Sequence, residues 1–222
     1  MYLLLARHGE SVDDLTNQYG GWADFPLTPT GYKQLEQTAK QILALSQKYN
    51  IKFSEVITSP LVRAVESGRV IANALSIPQK ELLYLKEKNG YGLLTGLNKD
   101  FAKKNYPNLV KDLDAGYVYG AEPHNKFIER VILGFKELIK NSQNKIAVSH
   151  GGYLREFTKQ ILGQKLAKAG DGGFMLLEVK ELEKIMKAIA NFYNSTGSMP
   201  IGLHKTTRKF IKIVETYKLE IE

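Results

Sequence analysis

Short apolar runs alternate along the chain with longer stretches in which apolar residues recur at helical spacing. A short continuous apolar run is typical of a buried strand, whereas recurrence every three to four residues is typical of a helix. The apolar runs predict strands over residues 2–6, 53–58, 81–85, 145–149 and 174–179. The stretches between them predict helices after residue 31, from 59 to 75, from 127 to 140 and from 152 to 162.

Strands that alternate with helices form a mainly parallel sheet, because each crossover connection lays a helix on one face of it. We therefore predict an α/β fold, a three-layer sandwich with a mainly parallel central sheet flanked by helices on both faces. Ser59 and Pro60 have the pattern of a helix start, with a serine N-cap and a proline at the first helical position.

Two stretches depart from this alternation. Residues 88–126 are loop-rich and form an insertion between the third predicted strand and the next helix. Residues 181–222 form a C-terminal extension, with a predicted helix over 181–193, a loop over 194–203 and a strand or hairpin over 210–221. We predict one domain over 1–180. The position of the extension on the sheet stays open, and its basic cluster at 204–209 either covers the site or lies on the surface.

The composition is that of an ordinary globular protein, with 43% hydrophobic and 24% charged residues among 222. We expect no membrane span and no signal peptide, and a cytoplasmic location. The absence of cysteine excludes disulfides and thiol catalysis. The formal charge of +8 suits a nucleic-acid surface, a pocket for a small anion, or a solvated lysine-rich surface with no ligand. No nucleic-acid-binding signature is present in the sequence, so specific nucleic-acid binding is not expected.

Polar side chains follow four of the predicted strands at the point where each strand ends. The carboxyl ends of parallel strands meet at one edge of the sheet, which is where ligands bind in open α/β sheets. We therefore expect these side chains to converge on one site. They are Arg7, His8, Ser59, Arg63, Glu87, Ser149, His150, Gly151 and Gly152.

This set of residue types suits phosphoryl transfer. Two arginines can hold a phosphate through paired, charge-assisted hydrogen bonds, and glycines let backbone N–H groups approach its oxygens. A neutral histidine can attack phosphorus, while a second histidine stabilises charge on the equatorial oxygens. A carboxylic acid can protonate the leaving oxygen and then take a proton from water. No cluster with metal-ligand spacing is seen, so we expect no metal and no cofactor.

Several segments resemble the histidine phosphatase superfamily, and in particular its phosphoglycerate-mutase-like enzymes. Arg-His-Gly-Glu-Ser at 7–11 is similar to the family signature, and Thr-Ser-Pro-Leu-Val-Arg-Ala at 58–64 is similar to its second motif. Val-Ser-His-Gly-Gly at 148–152 resembles the third motif. The segments at 17–31 and 91–99 resemble stretches of the mutase branch. The likeness extends over about residues 1–180.

The resemblance implies a role for each of the central residues. His8 is the implied nucleophile, which passes through a phosphohistidine. Arg7, Arg63 and His150 are implied to bind the phosphoryl group, and His150 also to act in catalysis. Glu87 is implied to be the general acid and base.

Other positions are less closely matched. The backbone near Gly21 and Gly151 is expected to contact substrate. Asp14 stands where mutases usually carry a phosphate-binding asparagine, so it either selects another substrate or points elsewhere. One residue is inserted after Glu87, which leaves Glu81 and Glu122 as weaker candidates for the acid.

The insertion also departs from the mutase pattern. The mutases carry an adjacent arginine pair there for the substrate carboxylate, whereas residues 98–121 contain no arginine. Lys99, Lys103 and Lys104 are either anion ligands or solvated surface residues.

These observations predict a metal-independent phosphomonoesterase that acts through a phosphohistidine on small phosphorylated metabolites. The alternative is a phosphoglycerate mutase that needs a 2,3-bisphosphoglycerate primer. A remote alternative is a non-catalytic module that binds phosphorylated ligands. The expected partner is a small phosphorylated substrate, and the protein is expected to be a monomer or homodimer.

Overall fold

A six-stranded mixed sheet forms the centre of the computed structural model, which describes residues 1–196 and 203–222. The strand order is β3-β2-β4-β1-β5-β6. The first four strands in this order run parallel, and β5 and β6 are antiparallel to their neighbours. The strands are β1 (Tyr2–Arg7), β2 (Glu55–Thr58), β3 (Gln79–Glu81), β4 (Lys145–Ser149), β5 (Leu166–Val179) and β6 (Ile211–Ile221).

Helices connect the strands. A π-helical stretch over Thr158–Leu162 extends the seventh helix, and 3₁₀ turns cover Leu83–Leu85, Gly92–Leu94 and Arg208–Phe210. None of the described helices combines the length and apolar character needed to cross a membrane. The α-helices are α1 (Val12–Leu15), α2 (Pro29–Lys48), α3 (Val62–Leu75), α4 (Lys99–Asn105), α5 (Pro107–Asp114), α6 (His124–Ile139), α7 (Gly151–Phe157), α8 (Leu182–Thr196) and α9 (His204–Thr207).

The central strands bury both of their faces, and their middle residues, 3–6 in β1 and 146–148 in β4, are apolar and buried. On one face, Leu4 of β1 packs in a cluster with residues of α2 and α3. On the other face, Leu3 and Leu5 pack with residues of α6, α7 and α8. Successive side chains of a strand point to opposite faces, so a strand covered on both sides needs apolar residues at every position. The predicted three-layer α/β architecture is confirmed.

Two sequence-based boundaries are wrong. The third strand is Gln79–Glu81, not residues 81–85, because Leu83–Leu85 turns into a 3₁₀ helix that buries Leu85 in the core. The helix predicted to start at Ser59 and Pro60 begins at Val62, with Leu61 at its N-cap. The Ser59 hydroxyl lies instead within hydrogen-bond distance of His150.

β2 begins at Glu55, two residues later than predicted, whereas other elements are longer than predicted or were left open. β5 begins at Leu166, eight residues earlier than predicted, and bulges between Ala169 and Phe174. The insertion carries α4 and α5. The extension adds β6, which pairs antiparallel with β5 at the edge of the same sheet. The loop predicted over 194–203 lies mostly outside the described residues, although α8 covers its first three positions.

Candidate active site

A cleft of about 490 Å³ opens at the carboxyl ends of the parallel strands. The bulge in β5 faces the same edge, because the Gly172 amide donates to the His8 carbonyl. Six of the sequence-predicted site residues line the cleft together with Asp14 and Gly21. The lining residues are Arg7, His8, Asp13, Asp14, Asn17, Gln18, Gly20, Gly21, Arg63, Glu87, Lys88, Gly90, Tyr91, Lys99, Gly151, Gly152 and Arg155.

His8 follows β1 directly and is 5% exposed. Its Nδ1 lies 2.7 Å from the Gly9 carbonyl oxygen. A carbonyl only accepts hydrogen bonds, so the proton of the neutral ring sits on Nδ1 and Nε2 keeps a lone pair. Burial lowers the pKa of His8 well below its usual value, and the charges of Arg63 and Arg7 lower it further. The imidazole is therefore held neutral, which is the form that can attack phosphorus.

Arg7 is held by two acceptors from β5. Its Nη1 donates to the Ala169 carbonyl at 2.6 Å and forms an ion pair with Asp171 Oδ1 at 2.8 Å. Burial raises the pKa of Asp171, and the nearby charge of Arg7 acts against that rise. The Arg7 Nε is buried and has no hydrogen-bond partner.

Arg63 lies in the first turn of α3 and donates to two backbone carbonyls. Its Nη1 bonds to Ala23 and its Nη2 to Gly21, each at 2.9 Å. Gly21 has a φ of 55°, a left-handed conformation that costs glycine little. Burial lowers the pKa of Arg63, although Asp13 and Glu87 raise it. The Arg63 Nε is buried without a partner.

His150 follows β4 and is fully buried. Its Nε2 lies 2.8 Å from the Ser59 hydroxyl. With the Ser59 hydroxyl donating to Nε2, the neutral ring carries its proton on Nδ1, which is buried and has no partner. Burial lowers the pKa of His150 well below its usual value, followed by the effects of Arg63 and His8. The His8 and His150 rings are 5.0 Å apart between centroids.

Three buried N–H groups around the cleft thus lack a protein acceptor: Arg7 Nε, Arg63 Nε and His150 Nδ1. Buried donors in folded proteins are nearly always paired with protein, water or ligand acceptors, so this cluster is able to bind an acceptor that enters the cleft. The cluster fits a phosphoryl group, since its oxygens accept charge-assisted hydrogen bonds from arginine. It also surrounds a histidine whose Nε2 is free to attack.

Glu87 closes the cleft from the side of α7. Its carboxylate accepts hydrogen bonds from the amides of Gly152 at 3.0 Å, Tyr153 at 3.1 Å and Lys88 at 2.8 Å. The first two amides belong to the N-terminal turn of α7, where an anion is favoured by the helix dipole. Glu87 therefore joins the cleft to the helix that follows His150.

The competing carboxylates lie elsewhere. Glu81 is exposed at the end of β3. Glu122 accepts two hydrogen bonds from Arg130, at 2.8 and 2.7 Å, in a largely buried ion pair. Neither side chain lines the cleft. Among these three candidates for the acid, the geometry brings Glu87 alone to the cleft.

The other sequence-predicted contacts have mixed placements. Asp14 lines the cleft, but its Oδ2 accepts from the Ser11 amide at 3.1 Å and so caps its own short helix. Lys99 lines the cleft, whereas Lys103 and Lys104 are exposed outside it. In the part of the chain that the structure describes, no three His, Cys, Asp or Glu side chains are grouped to hold a metal ion.

Three contributors to the site were missed from sequence. Arg130 of α6 donates to the carbonyls of Lys86 and Glu87 and so braces the loop that carries the carboxylate. Trp22 donates to the Glu87 carbonyl at 2.6 Å. Asp171 pairs with Arg7. A sequence signal exists for Arg130 alone, since it stands one helical turn after Phe127 in an otherwise apolar stripe.

Comparisons with known proteins give a family match. The model for the histidine phosphatase superfamily (branch 1) matches residues 3–184. A 2,3-bisphosphoglycerate-dependent phosphoglycerate mutase of Lactobacillus acidophilus is 28% identical over 220 residues, covering 83% of this chain and 91% of the relative. A 2,3-bisphosphoglycerate-dependent phosphoglycerate mutase of Cytophaga hutchinsonii is 34% identical over 163 residues, covering 69% and 73%.

Solved structures share the fold. The alpha-ribazole phosphatase from Shigella flexneri superposes with a TM-score of 0.68 at 20% identity, covering 82% of this chain and 92% of that one. A mycobacterial glucosyl-3-phosphoglycerate phosphatase superposes with a TM-score of 0.61 at 18% identity, covering 80% and 92%.

Proposed function

Because this chain belongs to the histidine phosphatase superfamily, we propose that it is a metal-independent phosphomonoesterase that hydrolyses small phosphorylated metabolites in the cytoplasm through a phosphohistidine at His8. The observation that carries the proposal is the cluster of three unsatisfied donors around a neutral histidine. Arg7 Nε, Arg63 Nε and His150 Nδ1 are buried without acceptors. The Nδ1–H of His8 is engaged by the Gly9 carbonyl, which leaves Nε2 for chemistry.

In the first step, the substrate phosphoryl group binds between Arg7, Arg63 and His150. The Nε2 lone pair of His8 attacks phosphorus, and the bond from phosphorus to the ester oxygen breaks. Glu87, in its protonated form, gives its proton to the departing oxygen, so that a neutral alcohol leaves. The arginines and His150 stabilise the charge that spreads over the equatorial oxygens, which is the main requirement in phosphoryl transfer.

In the second step, water attacks the phosphohistidine. Glu87, now a carboxylate, takes a proton from that water while the phosphorus–nitrogen bond breaks and the electron pair returns to Nε2. Inorganic phosphate leaves and the neutral imidazole is restored. One carboxyl group thus acts as acid and then as base, as a displacement through a covalent intermediate requires.

A mutase is the second candidate, and specific observations favour it. Relatives that cover most of the chain bear the name phosphoglycerate mutase. Tyr91 and Lys99, which belong to the segment that resembles the mutases, both line the cleft. The absence of arginine from residues 98–121 opposes this candidate. In a mutase, a hydroxyl of the bound sugar acid would take the phosphoryl group from His8 in place of water.

Phosphate release from p-nitrophenyl phosphate and a panel of sugar and glycolytic phosphates tests the proposal, with a chelator present throughout. His124→Ala is the matched control for His8→Ala, because His124 is exposed at the start of α6 and lies outside the cleft. We expect release by the wild-type protein and by His124→Ala, and release at background level by His8→Ala. Release that persists in His8→Ala would rule out the phosphohistidine.

Other results would support the alternatives. Interconversion of 3- and 2-phosphoglycerate that depends on a 2,3-bisphosphoglycerate primer, without phosphate release, would establish the mutase. Binding of phosphorylated ligands by wild type and His8→Ala, without turnover of any substrate, would support the non-catalytic module. Calorimetric titration with 3-phosphoglycerate measures that binding directly.

A further inference from the structure

The guanidinium group of Arg155 lies beside the phosphoryl-binding cluster. Arg155 is on α7, four residues after Gly151, and lines the cleft. Its Nη1 is 3.5 Å from the point where a Cβ on Gly151 would stand, and the Arg7 Nε is 3.6 Å from the same point. Because Gly151 has no side chain, a gap remains between the two guanidinium groups.

Arg155 differs from the other arginines around the cleft in having no acceptor. Arg7 is paired with Asp171, Arg63 with two carbonyls, and Arg130 with Glu122. Within residues 1–196 and 203–222, no hydrogen bond or ion pair involves the side chain of Arg155. The Arg155 side chain is exposed, and Asp171 pairs with Arg7 and not with Arg155, so the positive charge of Arg155 is available to an anion that enters the cleft. The position therefore suits an anionic part of the substrate.

We propose that Arg155 binds a second anionic group, a carboxylate or phosphate, on the leaving part of the substrate. This inference rests on the proposed function and adds a substrate class to it: phosphomonoesters that carry a further negative charge a few atoms from the ester oxygen. The first anion is the transferred phosphoryl group, and it is proposed to bind the buried unpaired donors of Arg7, Arg63 and His150 beside His8. Arginine suits the task, because its planar fork matches both carboxylate and phosphate.

The two aspartates of the cleft are unsuited to this role, and its two lysines, Lys88 and Lys99, lack the planar fork of a guanidinium group. The carboxylates of Asp13 and Asp14 would repel an anion, and each already accepts a hydrogen bond from Ser11. Residues 98–121, where the mutases carry an arginine pair, contain no arginine. A guanidinium from α7 therefore takes the place of one from the insertion.

Two pairs of substrates, each differing in one anionic group, test this assignment. Glycerol 3-phosphate differs from 3-phosphoglycerate by a hydroxymethyl group in place of the carboxylate, and propane-1,3-diol monophosphate and bisphosphate form the corresponding pair for a second phosphate. We expect kcat/KM to favour the more anionic member of at least one pair, and the favoured pair identifies the group. In Arg155→Ala that preference should fall by about 10-fold or more, mainly through KM, as expected for a lost charge-assisted hydrogen bond.

Two further variants sharpen the result. Lys159→Ala removes a positive charge one turn later on the same exposed face, outside the cleft, and should leave the preference as in wild type. Arg155→Lys keeps the positive charge but loses the planar guanidinium group, so it should retain part of the preference for the more anionic substrate. An equal loss for both members of each pair in Arg155→Ala would overturn the proposal, because Arg155 would then serve the transferred phosphoryl group. An unchanged preference would overturn it as well.

Failure of this inference is distinguishable from failure of the proposed function. Turnover of the less anionic substrates by the wild-type protein supports the phosphatase whatever Arg155 does. If no substrate is turned over, calorimetric titration with 3-phosphoglycerate decides: weaker binding by Arg155→Ala than by Lys159→Ala supports the second-anion site, and equal binding by the two variants overturns it.

Discussion

Burial and two neighbouring guanidinium groups act on the His8 imidazole in the same direction. Burial lowers the pKa of His8 well below its usual value, and Arg63 and Arg7 lower it further. The pKa of His150 is lowered for the same reasons. Both rings therefore stay neutral in the folded protein at pH values where they would be protonated in the unfolded chain, whose histidines titrate near pH 6.5 as in model peptides.

This difference predicts that acid destabilises the fold through the site. Below the pKa of unfolded histidine, the unfolded chain binds protons that the native state does not, so the free energy of unfolding falls as pH falls. Each such histidine contributes up to about 1.4 kcal/mol per pH unit. We expect urea unfolding to show this decline between pH 6.5 and 5.5. His8→Asn should flatten the slope, and an identical slope in wild type and variant would contradict the argument.

Two adjacent glycines at the start of α7 border different parts of the cleft. Gly152 lies against the Glu87 carboxylate, and Gly151 lies beside the gap between Arg155 and Arg7. A Cβ on Gly152 would overlap the Glu87 Oε1 atom, so Gly152→Ala must displace the carboxylate. A Cβ on Gly151 would make ordinary contacts of 3.5 Å or more with Arg155 and Arg7, but would narrow the gap between them. We therefore expect Gly151→Ala to leave the fold intact and to hinder binding of a ligand in that gap.

We therefore expect Gly152→Ala to lower kcat by about 100-fold, the order of magnitude that a positioned acid or base contributes. Gly151→Ala should mainly raise KM. Steady-state kinetics with glycerol 3-phosphate, whose leaving alkoxide needs a proton, separate the two parameters, and circular dichroism checks the fold of each variant. If both variants changed kcat and KM in the same proportion, distinct roles for Glu87 and for the Arg7 and Arg155 guanidinium groups would be contradicted.

At the scale of elements, α6 supports the loop that carries Glu87, the proposed acid, and does not itself line the cleft. Arg130 joins Glu122 to the carbonyls of Tyr84, Lys86 and Glu87. Both side chains of the ion pair are largely buried. Removal of one partner from such a pair leaves an uncompensated charge, which typically costs about 3–5 kcal/mol.

Arg130→Ala should therefore lower the free energy of unfolding by about 3 kcal/mol and lower kcat by more than it changes KM. Glu122→Gln is the matched comparison, since Arg130 keeps its three carbonyl acceptors. We expect that variant to lose stability but to keep most of its kcat. Urea unfolding and steady-state kinetics on the two variants provide the check, and an unchanged kcat in Arg130→Ala would show that the Glu87 loop holds its shape alone.

The same elements explain how much could be predicted from sequence. β1 and β4 each contain a continuous apolar run, over residues 2–6 and 146–148, so their strands and the polar residues after them, His8 and His150, were predicted within a residue. β3 is polar because it forms an edge of the sheet, and its placement was wrong. Asp171 was missed because β5 is antiparallel, so its early residues, and not those after its end, lie at the cleft.

At the scale of the whole molecule, the C-terminal extension completes the fold. β6 pairs with β5 over nine residue pairs, which include Phe174 with Tyr217 and Val179 with Ile211. Ile185 and Ile189 of α8 are buried in the core cluster that also contains Leu3 and Leu5 of β1. A strand edge and part of the core would therefore be exposed in a chain that stopped at residue 180.

The boundary predicted between a domain at 1–180 and its extension can be tested by truncation. Loss of a single buried Ile or Leu side chain costs about 2–5 kcal/mol, and a typical domain is stable by only 5–15 kcal/mol. The truncated chain loses five such side chains from one cluster: Ile185, Ile189, Leu203, Ile211 and Leu219.

We therefore expect residues 1–180 alone to lack a cooperative thermal transition, or to aggregate through the uncovered edge of β5. A synthetic peptide of residues 181–222 added in trans should restore part of the transition, and a scrambled peptide of the same composition should not. Thermal unfolding followed by circular dichroism measures both effects. A cooperative transition in the truncated chain near the wild-type midpoint would mean that the extension is an appendage and that residues 1–180 hold the active-site strands in place unaided.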